Sequence, residues 1–179
     1  MSERVTRDST SWWLFSPARA DVGAQAVGVF QVALDEARAY ANEREQFGQK
    51  ISEFQAPRHK LARMATRLKA SRSLICRTGR VIEVGEYTEA TKLAAMTKLF
   101  ASERAVNIAA KAFQVYGGAG HISNYYVERF HCKVRTTKIY DENSEIQKSI
   151  IADQIPLMPG LGVLYILYRD SWRHSDDRY

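Results

Sequence analysis

Proline and glycine are scarce, with four Pro and ten Gly in 179 residues. So few chain breakers argue against disorder and against a turn-rich β fold. Cysteine is scarcer still. Cys76 and Cys132 stand far apart, no Cys-x-x-Cys occurs, and no His pair lies at ligand spacing, which argues against a metal site. Two distant thiols suit a reducing compartment, and a disulfide between them stays open. Long apolar runs are missing too. The longest, Leu161 to Tyr168, is far too short to cross a bilayer, and the N-terminus shows no apolar signal core. The expectation is a cytoplasmic protein without a membrane span.

What is present points to one packed domain. Hydrophobic residues make up 45% of the chain, enough for a real core. The net charge of +6 and a pI near 9.4 suit an anionic partner: nucleic acid, an acidic protein or a phosphorylated cofactor. A solvated, Arg-rich helical surface explains the same charge. The basic residues are scattered rather than gathered in one run, so no nucleic acid is expected.

Apolar spacing is helical throughout. Residues 1–14 are polar apart from Trp12-Trp13-Leu14 and read as a loose segment. Ser16 is placed to cap a first helix, with Pro17 at its first position and Phe15 as a staple. Val22, Ala26, Val29, Ala33 and Ala37 then recur at threes and fours, and Gly23, Ala24, Ala26 and Gly28 invite close approach by another helix. That helix fades near Asn42, with a turn at Phe47-Gly48. Ser52-Glu53-Phe54-Gln55 reads as the capping box of a second helix. Its seam runs through Leu61, Ala65, Leu68, Arg72, Ile75, Gly79 and Ile82 to a stop at Gly85. Arg72 on that seam marks either a subunit contact or a snorkelling side chain.

A third helix spans about Thr88 to Tyr116, with Leu93, Met96, Phe100, Ala110 and Phe113 inward and Gly117-Gly118 opening a Gly-rich loop. A short helix over Tyr125 to Lys133 follows. Ser144 and Gln147 then form a capping box for a last helix to Ile155, after the adjacent carboxylates Asp141 and Glu142. Acids before a helix start complement its dipole, and a carboxylate held there can also act as a base. Pro156 and Pro159 break that helix, and 161–168 forms an apolar tail. Together these features predict an all-α, antiparallel up-and-down bundle over residues 15–155, with a C-terminal tail over 156–179.

Five stretches carry a family likeness. They are Glu43-Arg44-Glu45-Gln46-Phe47-Gly48, Lys98-Leu99-Phe100-Ala101-Ser102-Glu103, Gln114-Val115-Tyr116-Gly117-Gly118-Ala119-Gly120, Tyr125 to Phe130, and Tyr140 to Gln147. In order and spacing they resemble the C-terminal helical domain of the FAD-dependent acyl-CoA dehydrogenases. The family's N-terminal helical and middle β-domains have no counterpart in these residues.

The resemblance implies a flavin reaction in which a carboxylate takes a proton from Cα of an acyl-CoA thioester. It places that base at Asp141, one methylene shorter than the family's Glu. Glu142, where the family has Gly, is the second candidate. The alternative base position of some members precedes Arg19 and is Ala18, which cannot serve. Flavin contacts are implied for Arg44 on the diphosphate, Phe47 beside the adenosine, and Gln114, Gly117 and Gly118 at the ADP part. Asn143 and Glu145 are implied within reach of ribose or diphosphate oxygens. Cys132-Lys133 departs from the family's Arg-Asp. The chain is then the C-terminal domain or a split subunit of such an enzyme, and the implied partners are acyl-CoA and either the missing domains or a second subunit, the same or different, sharing the FAD. The competing expectation is a non-catalytic oligomerisation or scaffold module of the same fold.

Overall fold

The computed structural model describes residues 15–122 and 124–155. Expectations for 1–14, Pro156, Pro159 and the 161–168 tail lie outside them. Three long helices form the body: α1 (Ser16–Glu43), α2 (Gln55–Val84) and α3 (Tyr87–Tyr116). Two short ones, α4 (Val127–Lys133) and α5 (Ser144–Gln154), pack against α3. Side-chain pairs fix the directions. Ser16 meets Thr91 and Glu36 meets Tyr116, so α1 and α3 run parallel. Arg67 meets Asn107 and Thr78 meets Thr97, so α2 runs against α3. The path is up, down, up, as the apolar spacing predicts. No helix among the described residues is long and apolar enough to cross a membrane.

Alanine sets the closeness of the core. Ala26, Ala33, Ala37 and Ala41 on α1 are buried, as are Ala101, Ala105, Ala109 and Ala112 on α3. Phe30, Met64, Leu68 and Ile108 fill the space between the small residues. Gly23 marks the tightest approach, because a Cβ there would stand 3.0 Å from Thr97 Cγ2. Gly28 has no atom near its own missing Cβ, so the expectation of close approach fails there.

Several local expectations are corrected. Ser16 does not cap α1. Phe15 holds that position, half-exposed, and Ser16 is buried with its hydroxyl directed to Thr91 Oγ1 at 3.4 Å. The capping box at Ser52 is absent: Ile51–Glu53 form a 3-10 turn, and α2 starts after Phe54 with no side-chain cap. The buried stripe of α2 is Met64, Leu68, Ser71 and Thr78, rotated from the expected seam. Ala65, Arg72 and Gly79 are exposed, and so is Ala110 on α3. The turn at Phe47-Gly48 joins a two-residue antiparallel pair, Glu45–Gln46 with Gln49–Lys50. Cys76 and Cys132 are free, exposed thiols.

Candidate functional site

The segment Tyr140-Asp141-Glu142 is built around the ammonium of Lys98. Nζ donates to the carbonyls of Tyr140 at 2.8 Å and Asp141 at 2.6 Å, and to that of Glu142. Three consecutive carbonyls face one point only if the chain curls sharply. Asp141 and Glu142 do so with φ of 53° and 71°, a conformation that costs an L-residue about 1–2 kcal/mol. Lys98 is buried, and burial pushes its pKa below the ordinary value, opposed by the charges of Asp141 and Glu142. The Lys98 motif is part of the family likeness, yet its role in folding this loop shows only in three dimensions.

Glu142 faces inward. Its Oε2 accepts from Arg19 Nε at 2.8 Å and from Gln147 Nε2 at 3.2 Å. Arg19 is fully buried on α1 and Glu142 mostly so, and this largely buried ion pair ties α1 to the start of α5. Asp141 differs. Its Oδ2 is buried without a hydrogen-bond partner among the described residues. An orphaned carboxylate oxygen next to a charged clasp is a group with acceptor capacity to spare.

The cap of α5 also differs from the expectation. Asn143, not Ser144, is the N-cap, and its Oδ1 accepts from the Ile146 amide at 3.0 Å. The Ser144 hydroxyl is buried without a partner among the described residues. Gln147 answers Glu142 rather than Ser144. Glu145 is exposed, 3.8 Å from Lys148.

The other implied residues gather at the far end of α1. Between Arg19 and Arg44 the helix rises about 37 Å, at ~1.5 Å per residue. There Arg44, Gln46, Tyr40, Tyr116, Gly118 and Tyr125 line a cleft of about 760 Å³. Tyr40 and Tyr116 stack with centroids 4.1 Å apart, and Tyr125 meets both edge-on. Tyr116 reaches Glu36 Oε2 at 3.2 Å. Burial, then the Glu36 charge, push its phenol pKa well above the usual value. No ion pair holds Arg44 among the described residues. Gly117 ends α3 at φ 59° and ψ −134°, a region that needs glycine. A Cβ on Gly118 would meet no protein atom within 4 Å and would project into open space. Phe47 stands at the hairpin tip almost fully exposed, its ring edge-on to Phe54 at 6.3 Å. Gln114 is exposed on α3, outside the cleft lining. The implied residues therefore form two groups, one at each end of α1.

Comparisons with known proteins bear on the family and the fold. The family description "Acyl-CoA dehydrogenase, C-terminal domain" matches residues 10–155. The chain is 41% identical over 146 residues to a 3-(aryl)acrylate reductase of Clostridium sporogenes, covering 82% of this chain and 38% of that protein. A solved electron transferring flavoprotein structure from Acidaminococcus fermentans superposes with a TM-score of 0.77 at 34% identity, over 80% of this chain and 37% of that one. Butyryl-CoA dehydrogenase of Megasphaera elsdenii gives 0.75 at 31% identity, over 78% and 36%. The chain thus spans well under half the length of the proteins it resembles. Over residues 10–155 it belongs to the acyl-CoA dehydrogenase family, as that family's C-terminal helical domain.

Proposed function

We propose that this chain supplies the C-terminal domain's share of an FAD-dependent acyl-CoA dehydrogenase site, with Asp141 as the base that takes the Cα proton of an acyl-CoA thioester. The observation that carries this reading is the buried, unpartnered Oδ2 of Asp141 on a loop that Lys98 holds in place. Glu142 is the weaker candidate, because Arg19 and Gln147 already occupy its Oε2. A base must be positioned before its basicity matters. The Lys98 clasp does that for Asp141, while the pair with Arg19 turns Glu142 into an anchor.

The far end of α1 suits the ADP part of FAD. Arg44 offers a guanidinium without an ion pair among the described residues, matched to diphosphate oxygens. Gly118 leaves room for backbone approach, and the tyrosine cluster gives an apolar wall. Phe47, Gln114 and Gly117 border the same end. At the other end Asn143 keeps its side-chain amide donors for a ribose or diphosphate oxygen, while its Oδ1 serves the helix, and Glu145 stands exposed beside it. FAD, when bound, supplies the acceptor for the hydride from Cβ. One flavin cannot reach both ends of a ~37 Å rise within one chain, so the reading requires a second subunit, the same or different. Exposed free thiols suit the reducing cytoplasm for such an assembly.

The test is co-expression with a chain carrying the N-terminal and β-domains, followed by dye reduction with acyl-CoA. Asp141→Asn is expected to lower turnover by about 100-fold or more while flavin content holds. Undiminished turnover in that variant overturns the assignment.

A second reading keeps the fold without the reaction. It is favoured by the clasp itself, since Arg19, Lys98, Glu142 and Gln147 join α1, α3 and α5 as a structural knot. Under it, a reconstituted assembly shows no turnover, and the same substitutions change stability only.

A further inference from the structure

The net charge of this protein resides on one helix. Over Gln55–Val84, α2 carries eight Lys and Arg side chains against one carboxylate, Glu83; that net +7 exceeds the +6 of the whole chain. Part of this charge is gathered into a concavity. His59, Lys60, Arg63 and Arg67 of α2 and Lys111 of α3 line a cleft of about 300 Å³, with Ala56 and buried Met64. No carboxylate among the described residues lines it. It shares no lining residue with the Arg44 cleft.

The arrangement is unfavourable as it stands. His59, Arg63 and Arg67 lie four apart and stack along one helix face. The Arg63 and Arg67 charges at that spacing repel one another, and Lys111 faces them from the neighbouring helix. Arg67 donates to the neutral Asn107 Oδ1, which fixes its guanidinium without cancelling its charge. Lys60, Arg63 and Lys111 have no ion pair among the described residues. A concave wall concentrates the potential that a flat basic surface would spread into solvent.

We propose that the α2–α3 cleft binds a small, multiply charged phosphate-bearing anion of the diphosphate class. Two guanidinium forks and two ammonium groups match several phosphate oxygens at once, whereas a lone carboxylate would leave most of them unmatched. The volume suits a compact ligand at the small end of binding pockets. A nucleic-acid strand would instead follow the helix onto Arg72, Arg77 and Arg80, beyond the cleft. The proposal is independent of the dehydrogenase reading.

Titration calorimetry of the full chain with inorganic diphosphate at low ionic strength tests it. One site per chain is expected. Arg63→Gln with Lys111→Gln, both at exposed positions, is expected to weaken binding at least about tenfold, since two charge-assisted contacts are lost. Arg72→Gln with Arg80→Gln removes the same charge outside the cleft and leaves affinity within about twofold. Equal loss in both variants would mean diffuse helix charge, and no heat with the parent chain would mean no site; either overturns the proposal. Phosphatidylcholine vesicles with and without phosphatidylinositol bisphosphate then assign the source. Binding that inorganic diphosphate displaces marks a lipid headgroup, and its absence marks a free anion.

Discussion

Glu142 occupies a position where family likeness and local chemistry pull apart. The family has Gly there, and the backbone still asks for it, at φ 71°. A glycine in its place would shed about 1 kcal/mol of left-handed strain. It would also take the Glu142 carboxylate away from buried Arg19, and breaking a largely buried pair costs about 3–5 kcal/mol. The pair outweighs the strain. Glu142→Gly is therefore expected to destabilise the protein by about 2–4 kcal/mol in urea unfolding. Adding Arg19→Met, which removes the buried guanidinium, recovers part of that loss. A Glu142→Gly protein as stable as the parent would mean that the ion pair contributes nothing net. The adjacency of Asp141 and Glu142 was legible in the sequence, but their division of labour was not. It depends on Arg19, far away on the first helix, and on carbonyl directions that no side-chain pattern records.

At the scale of elements, what was legible followed from periodicity, and what was missed followed from capping and rotation. The three long helices read clearly because their apolar residues recur over many turns. The Ser52 and Ser144 boxes read falsely. Any Ser followed three residues later by Gln looks the same in sequence, while the helix starts where the preceding chain turns: after the 3-10 turn at Ile51–Glu53, and at Asn143. The α2 stripe was rotated because Thr78 and Ser71 are inside. Thr78 is buried through partners that the sequence does not announce: the Leu74 carbonyl at 2.9 Å and Thr97 Oγ1 at 2.6 Å. That same bond pins the Thr97 rotamer facing Gly23. In most helices Gly→Ala gains about 1 kcal/mol. At Gly23 the new methyl would stand 3.0 Å from a Cγ2 that cannot swing away without breaking the threonine pair. Gly23→Ala is expected to cost about 1–2 kcal/mol net. Thr97→Ser removes Cγ2 and keeps the hydroxyl, so in a double-mutant cycle it rescues Gly23→Ala; additive losses would sink this account.

For the whole molecule, charge and proton uptake follow from the same packing that joins the two ends of α1. The basic charge lies on α2, and its cleft shares no lining residue with the tyrosine-lined one. Two groups in these end structures titrate at high pH in opposite senses. Lys98 is pushed below its ordinary value, so the unfolded chain holds that proton longer, and this group makes stability rise as pH approaches about 10.5 from below. Tyr116 is pushed up by burial and by Glu36, so above pH 10 the unfolded chain has released a proton that the folded one keeps. The folded state then binds more protons, and this group makes stability fall as pH rises past 10. Tyr116→Phe isolates the second effect. Near pH 7 it is expected to be less stable than the parent by about 1 kcal/mol, for the lost bonds to Glu36. Between about pH 9 and pH 11, on the scale of the ordinary phenol value, the gap between parent and variant is expected to narrow, because only the parent loses the Tyr116 contribution. Urea midpoints of both proteins across that range provide the measurement. A constant gap would mean that Tyr116 ionises alike in both states, and that neither its burial nor its contact with Glu36 holds the phenol proton.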